Sequence, residues 1–218
     1  MLGCLVLMPP SAHPSVHDWL QQETPAIQQA FQANPWQTAA PFVALYERYG
    51  EPLQALTTDR IGAPTQADWA VAQAWRQIWQ ALQLAETAWD WPDYQALAER
   101  YWADLWLPPT EAIAYDLPSM PPPLWVYTQV AIANLPGIDR LLLALTYTYR
   151  WSRSQVLNQL QMLGHRLGEP QLRQLLEIAE VRLLAALPPD LLEIYSELDY
   201  MVTHQDVIAT VRLCPRND

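Results

Sequence analysis

Residues 138–187 decide the fold class. The stretch opens with Ile138-Asp139-Arg140-Leu141-Leu142-Leu143-Ala144-Leu145-Thr146-Tyr147-Thr148-Tyr149-Arg150 and continues with Trp151-Ser152-Arg153-Ser154-Gln155. Ser152 followed by Gln155 predicts a capping box at the start of the second of three helices. Gly164 predicts the left-handed residue that ends this helix, and Pro170 suits the first turn of the third. Three short helices around a glycine-bearing turn are typical of a helix-turn-helix.

Apolar side chains in the same stretch recur every three or four residues, as on the buried face of a helix. The residues of this pattern are Val156, Leu157, Leu160, Leu163, Leu172, Leu175, Leu176, Ala179 and Leu183. The same spacing recurs earlier in the chain, and the predicted fold class is therefore all-α.

Proline-rich stretches divide the chain. Pro108-Pro109, Pro118 and Pro121-Pro122-Pro123 break the helical pattern, so residues 107–123 are predicted to form a stiff, extended linker. We expect two small helical domains joined by it, the second a helix-turn-helix. The predicted segments are a loose N-terminus (1–14), a helical domain (15–106), the linker (107–123), a helix-turn-helix domain (124–187), and an extra C-terminal helix and tail (188–218).

Helix boundaries inside the first domain follow from proline, glycine and acidic residues. Gly50 and Pro52 are expected to end or kink the helix that starts near Phe42. Thr65 with Asp68 is similar to a capping box for the next helix. That helix should bury Trp69, Ala72, Trp75, Ile78, Trp79 and Leu82.

Charge is strongly unbalanced over the 218 residues. The chain has twelve basic residues, all of them arginine, and 23 acidic residues, which gives a net charge of −11. This acidity opposes general nucleic-acid binding and favours a basic protein partner.

Cys4 and Cys214 form neither a disulfide framework nor a metal-binding spacing, which fits a reducing, cytoplasmic location. No run of apolar residues is long enough to cross a membrane.

The second domain resembles the promoter-reading domain of sigma factors of the extracytoplasmic-function type. Residues 131–136 (Ala-Ile-Ala-Asn-Leu-Pro) are similar to the entry of that domain, and residues 168–176 (Gly-Glu-Pro-Gln-Leu-Arg-Gln-Leu-Leu) are similar to its recognition helix. The resemblance implies that Arg150, Arg153, Arg166 and Arg173 face DNA. Where the family carries a basic run, this chain has Glu177, Ile178, Glu180 and Val181, which removes much of the phosphate attraction.

The first domain resembles the core-binding domain of the same family. Residues 40–50 (Ala-Pro-Phe-Val-Ala-Leu-Tyr-Glu-Arg-Tyr-Gly) are similar to its opening helix, residues 62–82 to its polymerase-binding helix, and residues 94–105 to its promoter-melting helix. The resemblance implies that RNA polymerase or another protein partner meets the second of these helices. The candidate partner-facing residues there are Asp68, Trp69, Gln73 and Arg76.

Three functions are compatible with the sequence. The first is a sigma-like protein associated with transcription initiation that acts mainly through protein contacts, with RNA polymerase core or with a competing sigma factor, rather than through ordinary promoter binding. The second is a non-transcriptional interaction or assembly factor, using its tryptophans and the helix predicted over residues 191–204. The third is an active, DNA-binding sigma factor. No catalytic, phosphate-binding or zinc motif is present, so we expect no enzyme activity, cofactor, metal or small-molecule substrate.

Overall fold

The computed structural model describes residues 13–113 and 120–196, and these residues form helices and connecting turns without a strand. The helices are α1 (Pro14–Leu20), α2 (Thr24–Ala33), α3 (Ala40–Ile61), α4 (Pro64–Leu82), α5 (Trp91–Ala103), α6 (Pro122–Asn134), α7 (Gly137–Leu143), α8 (Arg153–Met162), α9 (Glu169–Ala185) and α10 (Pro189–Ser196). A 3₁₀ turn covers Thr110–Ala112, and a π-helical turn covers Ala144–Thr148. The prediction of an all-α fold is confirmed for this part of the chain.

The chain divides into two compact units. The first unit extends through Val126 and resumes at Pro188, and the second runs from Tyr127 to Leu187. The division falls inside α6, three residues after the end of the predicted linker. The described residues from Pro188 onward belong to the first unit, although the sequence suggested an extra helix appended to the second domain.

Helix α3 is the centre of the first unit, where α1, α2 and α4 pack against it. Gly50 and Pro52 were expected to end or kink this helix, and the first of these alternatives is wrong, because α3 continues to Ile61. A proline inside a helix removes one N–H donor, and contacts along the rest of a long helix can offset that loss. Gly50 is needed where it stands, because a Cβ there would lie 2.9 Å from the ring of Tyr46.

Aromatic side chains fill the core of the first unit. Trp75 is fully buried, and its ring centroid lies 5.8 Å from that of Phe42 and 5.3 Å from that of Tyr46. The face predicted for α4 is confirmed, since all of its residues are at most 7% exposed: Trp69, Ala72, Trp75, Ile78, Trp79 and Leu82. Large rings in edge-to-face contact stabilise a core beyond the area they bury.

Buried and half-buried polar side chains of α2 and α3 form hydrogen bonds to the turns of the first unit. Gln28 is 2% exposed; it donates to the Thr87 carbonyl at 3.0 Å and accepts from the Trp89 N–H at 2.8 Å. The Gln32 amide donates to carbonyls at the end of α4 and just beyond it, and the Arg48 guanidinium donates to carbonyls at the end of α1 and just beyond it. Since these carbonyls lie beyond helical pairing, side-chain donors satisfy them.

Helix α10 is joined to the start of α3 across about 150 residues of sequence. The Asp190 carboxylate accepts from the Ala39 N–H at 2.7 Å, from the Ala40 N–H at 3.1 Å and from the Thr38 hydroxyl at 2.6 Å. A carboxylate at a helix N-terminus satisfies free N–H groups and complements the helix dipole. Asp190 therefore serves as a long-range cap for α3.

The second unit has an aliphatic core made by α7, α8 and α9. Its buried centre consists of Leu142, Leu145, Val156, Leu160 and Leu172. Three helices are present over residues 138–187, as predicted. Leu163 departs from the predicted buried face, since it is 53% exposed and follows the last residue of α8, where the chain turns away.

Two other local predictions need correction. Helix α4 starts at Pro64 with Ala63 as its N-cap, so Thr65 and Asp68 do not form its capping box. The linker predicted over residues 107–123 is not extended throughout, because it contains the turn at Thr110–Ala112, and α6 already begins at Pro122. Proline is compatible with the first helical turn, where an N–H has no helical partner.

Several predictions lie outside the described residues. They concern the N-terminal segment with Cys4, Cys214, and the part of the chain after Ser196, including most of the helix predicted over 191–204. Within the described ranges, no helix combines the length and the apolar character needed to cross a membrane.

Candidate nucleic-acid interface

The start of α8 is fixed by a reciprocal cap. The Ser152 N–H donates to Gln155 Oε1 at 2.8 Å, and the Gln155 N–H donates to Ser152 Oγ at 3.4 Å. The predicted capping box is therefore confirmed. The cap fixes the first turn of α8, where Arg153 lies, immediately after the turn that carries Arg150.

Arg150 occupies an unusual backbone conformation at the end of a π-helical turn. Its φ is +52°, in the left-handed region that residues other than glycine seldom adopt. On one side the Tyr149 N–H donates to the Ala144 carbonyl, and on the other the Trp151 N–H donates to the Leu145 carbonyl at 3.0 Å. Trp151 is half-buried against the leucine core, which fixes the chain on the far side of Arg150. The Arg150 side chain is exposed.

Gly164 ends α8 in the predicted left-handed conformation, with φ of +90°. The His165 N–H donates to the Leu160 carbonyl and the Gly164 N–H to the Gln161 carbonyl, each at 2.9 Å. This pair of bonds is a Schellman motif, which satisfies carbonyls at a helix end. The chain then passes through Arg166, which is exposed, to the start of α9.

The starts of α8 and α9 lie close together. Arg153 Nη1 contacts Glu169 Oε1 at 3.3 Å, and both side chains are more than half exposed. An ion pair this exposed contributes little to stability, but it shows that the two helix starts are neighbours. Arg173 lies one turn into α9 and is exposed. The structure thus places Arg150, Arg153 and Arg173 near the two helix starts, with Arg166 in the loop that leads to the second.

Positive charge is concentrated in the second unit. Residues 127–187 contain six arginines and four acidic residues, a net charge of +2, whereas the rest of the chain contains six arginines and nineteen acidic residues, a net charge of −13. The expectation that acidity would oppose DNA binding came from the whole-chain charge of −11, which hides this separation. Locally, the second unit is compatible with a polyanion.

Three of the four acidic groups in the second unit already have partners. Buried Asp139 accepts from Arg182 at 2.8 Å, Glu180 accepts from the Tyr147 hydroxyl, and Glu169 pairs with Arg153. Over the described residues, Arg150, Arg166 and Arg173 form no ion pair or side-chain hydrogen bond. These three guanidinium groups therefore remain available to a phosphate.

Sequence reasoning did not predict the contacts that Asp139, Tyr147 and Arg182 make in this region. Their contacts join α7 and the π-helical turn to the middle and end of α9, over separations of 33 and 43 residues. Asp139 and Arg140 directly precede a run of three leucines, and an acidic residue in so apolar a helix was the available signal, because a buried carboxylate needs a partner.

The candidate partner-facing residues on α4 differ in exposure. Trp69 and Gln73 are each 7% exposed, so a partner can reach little of either side chain. Asp68 is half-buried and accepts from the Gln54 amide at 2.7 Å. Arg76 is half-buried beside Tyr101; burial raises the pKa of Tyr101, and the Arg76 guanidinium opposes that rise. Asp68 and Arg76 are therefore the two that a partner could contact.

Comparison of the chain with protein-family models, with curated proteins and with solved structures finds no match.

Proposed function

We propose that the protein is a sigma-factor-like protein associated with transcription initiation, in which α8 and α9 form a helix-turn-helix that contacts duplex DNA. The proposal rests on one observation: Arg150, Arg166 and Arg173 are exposed, lack ion-pair partners among the described residues, and belong to the positively charged unit. The DNA backbone carries a dense row of phosphates, and arginine binds phosphate with well-defined geometry.

The salt dependence of duplex binding tests this proposal. Fluorescence anisotropy of a labelled duplex with the full chain, between about 50 and 200 mM salt, should give a slope of log K against log salt near −2.7 for three phosphate contacts. Each of Arg150→Ala, Arg166→Ala and Arg173→Ala should reduce the magnitude of that slope by about 1. Arg60→Ala is the matched control, because Arg60 is an exposed arginine of the first unit.

Two outcomes would contradict DNA contact. One is the absence of duplex binding even at low salt. The other is a slope that changes equally in Arg60→Ala and Arg173→Ala, which would indicate diffuse attraction with no defined surface. Circular dichroism of each variant should match the wild-type spectrum, since all four side chains are exposed.

A second candidate is a transcription role that depends on protein contacts alone. Two observations favour it. The described residues of the first unit include four arginines and fourteen acidic residues. In the second unit, α9 after Arg173 carries the exposed Glu177 and then Val181, which is 64% exposed. An apolar and acidic helix surface suits a protein better than a phosphate backbone.

Pull-down with purified RNA polymerase core, with and without promoter DNA, separates the two candidates. Protein contact alone predicts that core is retained by the wild type and equally by the combined Arg150→Ala, Arg166→Ala and Arg173→Ala variant. DNA contact predicts that added promoter DNA strengthens retention of the wild type only. Failure of both core binding and duplex binding would exclude a direct part in initiation.

A further inference from the structure

A cleft of about 400 Å³ lies in the first unit, beside the C-terminal end of α5. Its apolar lining comes from Leu97, Leu105, the ring of Tyr101 and the indole of Trp106. Asp104 also lines it. The volume lies within the range of clefts that bind ligands or partner side chains.

Trp106 is held in an exposed position at this cleft. Its side chain is 73% exposed, and it is the one exposed tryptophan among the residues that the structure describes. Two residues later Pro108 is buried, and its carbonyl accepts from the Gln66 amide of α4 at 2.8 Å. Trp102, one turn earlier, is 6% exposed and donates to the Ala70 carbonyl. The same residue type therefore fills the core at position 102 and faces solvent at position 106.

The segment that carries the cleft is acidic. Residues 90–113 contain five acidic residues and one arginine, and of these Asp104 and Arg100 line the cleft itself. Asp93, Asp104 and Glu111 are all exposed. This charge repels phosphate and attracts cationic side chains, so it favours a basic protein segment over a nucleic acid.

We propose that this cleft is a docking site for a basic, amphipathic segment of a protein partner. A large apolar side chain of that segment would lie on Trp106, and a neighbouring lysine or arginine would lie beside Asp104. Tryptophan is the residue most enriched among those that dominate binding energy at interfaces, and a cation over an indole face adds further attraction. The site lies in the first unit and does not depend on DNA contact by the second.

A pair of synthetic peptides tests the site on the full chain. The basic probe is Arg-Leu-Arg-Trp-Arg-Leu-Arg with a fluorescent label, and its partner carries glutamate in place of every arginine. We expect the basic probe alone to bind. Trp106→Ala should weaken its binding about tenfold, since the main anchor is lost. Asp104→Asn should weaken it about threefold, as for one exposed ion pair.

The matched control is Leu84→Ala, because Leu84 is 83% exposed in the same unit but does not line the cleft. It should leave binding of the basic probe unchanged. The proposal is overturned if the basic probe fails to bind, if the acidic probe binds equally well, or if Trp106→Ala and Leu84→Ala have the same effect.

Two further measurements address other occupants of the cleft. Sedimentation of the full chain would reveal self-association; a dimer that Trp106→Ala dissociates would mean that a second copy fills the cleft. A labelled single-stranded oligonucleotide whose binding is lost in Trp106→Ala would mean that nucleic acid fills it. Either result overturns the proposal, whereas a monomer that binds the basic probe and no oligonucleotide at this site supports it.

Discussion

Ten of the eleven tryptophans lie outside residues 127–187, whereas half of the twelve arginines lie within them. The first unit is acidic and has a core of stacked and edge-to-face rings. The second unit carries a small positive charge and has a core of leucine and valine. The difference shows that whole-chain composition is an average over two regions with different surfaces, and the average misrepresents the second.

Helix ends and turns are satisfied by two kinds of partner. Local caps join residues three apart, as with Ser152 and Gln155 in the second unit and Asp90 and Asp93 in the first. The first unit also has partners that are remote in sequence, as with Gln28 and the turn at Thr87, or Asp190 and the start of α3. Local caps form with their own helix, whereas remote ones require the assembled unit.

The largest expected effect comes from the aromatic core. Trp75→Ala removes a fully buried indole that contacts Phe42, Tyr46 and Tyr94, and we expect a loss of about 3–5 kcal/mol in the free energy of unfolding. Urea unfolding followed by tryptophan fluorescence measures this loss, since the signal comes mainly from the first unit. Trp106→Ala is the control and should change the unfolding midpoint little. Equal effects of the two substitutions would show that the ring contacts do not determine stability.

A smaller effect distinguishes the remote cap from the local one. Asp190→Ala leaves the N–H groups of Ala39 and Ala40 without their acceptor, and we expect a loss of about 1–2 kcal/mol. Ser152→Ala removes an exposed local cap and should cost about 0.5–1 kcal/mol. Urea unfolding followed by far-ultraviolet circular dichroism measures both losses. If Ser152→Ala cost more than Asp190→Ala, the contrast between local and remote caps would be wrong.

The sequence predicted those parts of the fold that depend on neighbours along the chain. The capping box at Ser152, the left-handed turn at Gly164 and the buried face of α4 follow from spacing alone. The continuation of α3 through Pro52 could not be predicted in this way, because the contacts that offset the lost hydrogen bond come from other helices.

The sequence likewise predicted only part of the candidate nucleic-acid interface. Its four arginines could be named from the sequence, and all four are exposed. Which of them remain unpaired could not be predicted, because the pairing of Arg153 with Glu169 depends on two helix starts meeting in space. Likewise, the burial of Gln73 on α4 follows from the packing of the unit, which a single amphipathic pattern does not define. Trp69 belongs to the buried face that the spacing predicts, and this face argues against its role as a partner-facing residue.

The smallest expected effect at neutral pH concerns a polar atom in the aromatic core. The Tyr94 hydroxyl is buried and has no hydrogen-bond partner among the described residues. Burial, reinforced by the neighbouring Tyr49, raises the pKa of Tyr94. Tyr94→Phe removes an unsatisfied group without a large change in shape, so at neutral pH we expect the free energy of unfolding to change by less than about 1 kcal/mol, in the stabilising direction.

The effect should grow in alkaline solution. Above about pH 10 a tyrosine ionises in the unfolded chain. Tyr94 stays protonated in the folded chain at that pH, so ionisation favours the unfolded chain. The free energy of unfolding is therefore unaffected below about pH 10 and falls as the pH rises further. Urea unfolding at neutral and alkaline pH should therefore show a steeper loss for the wild type than for Tyr94→Phe. Tyr149→Phe, at a 45% exposed position in the second unit, should match the wild type at both. A clear loss of stability in Tyr94→Phe at neutral pH would mean that the hydroxyl is hydrogen-bonded, for example to a buried water. The polar group at the centre of the ring cluster would then have a partner, like the other buried polar groups of the first unit.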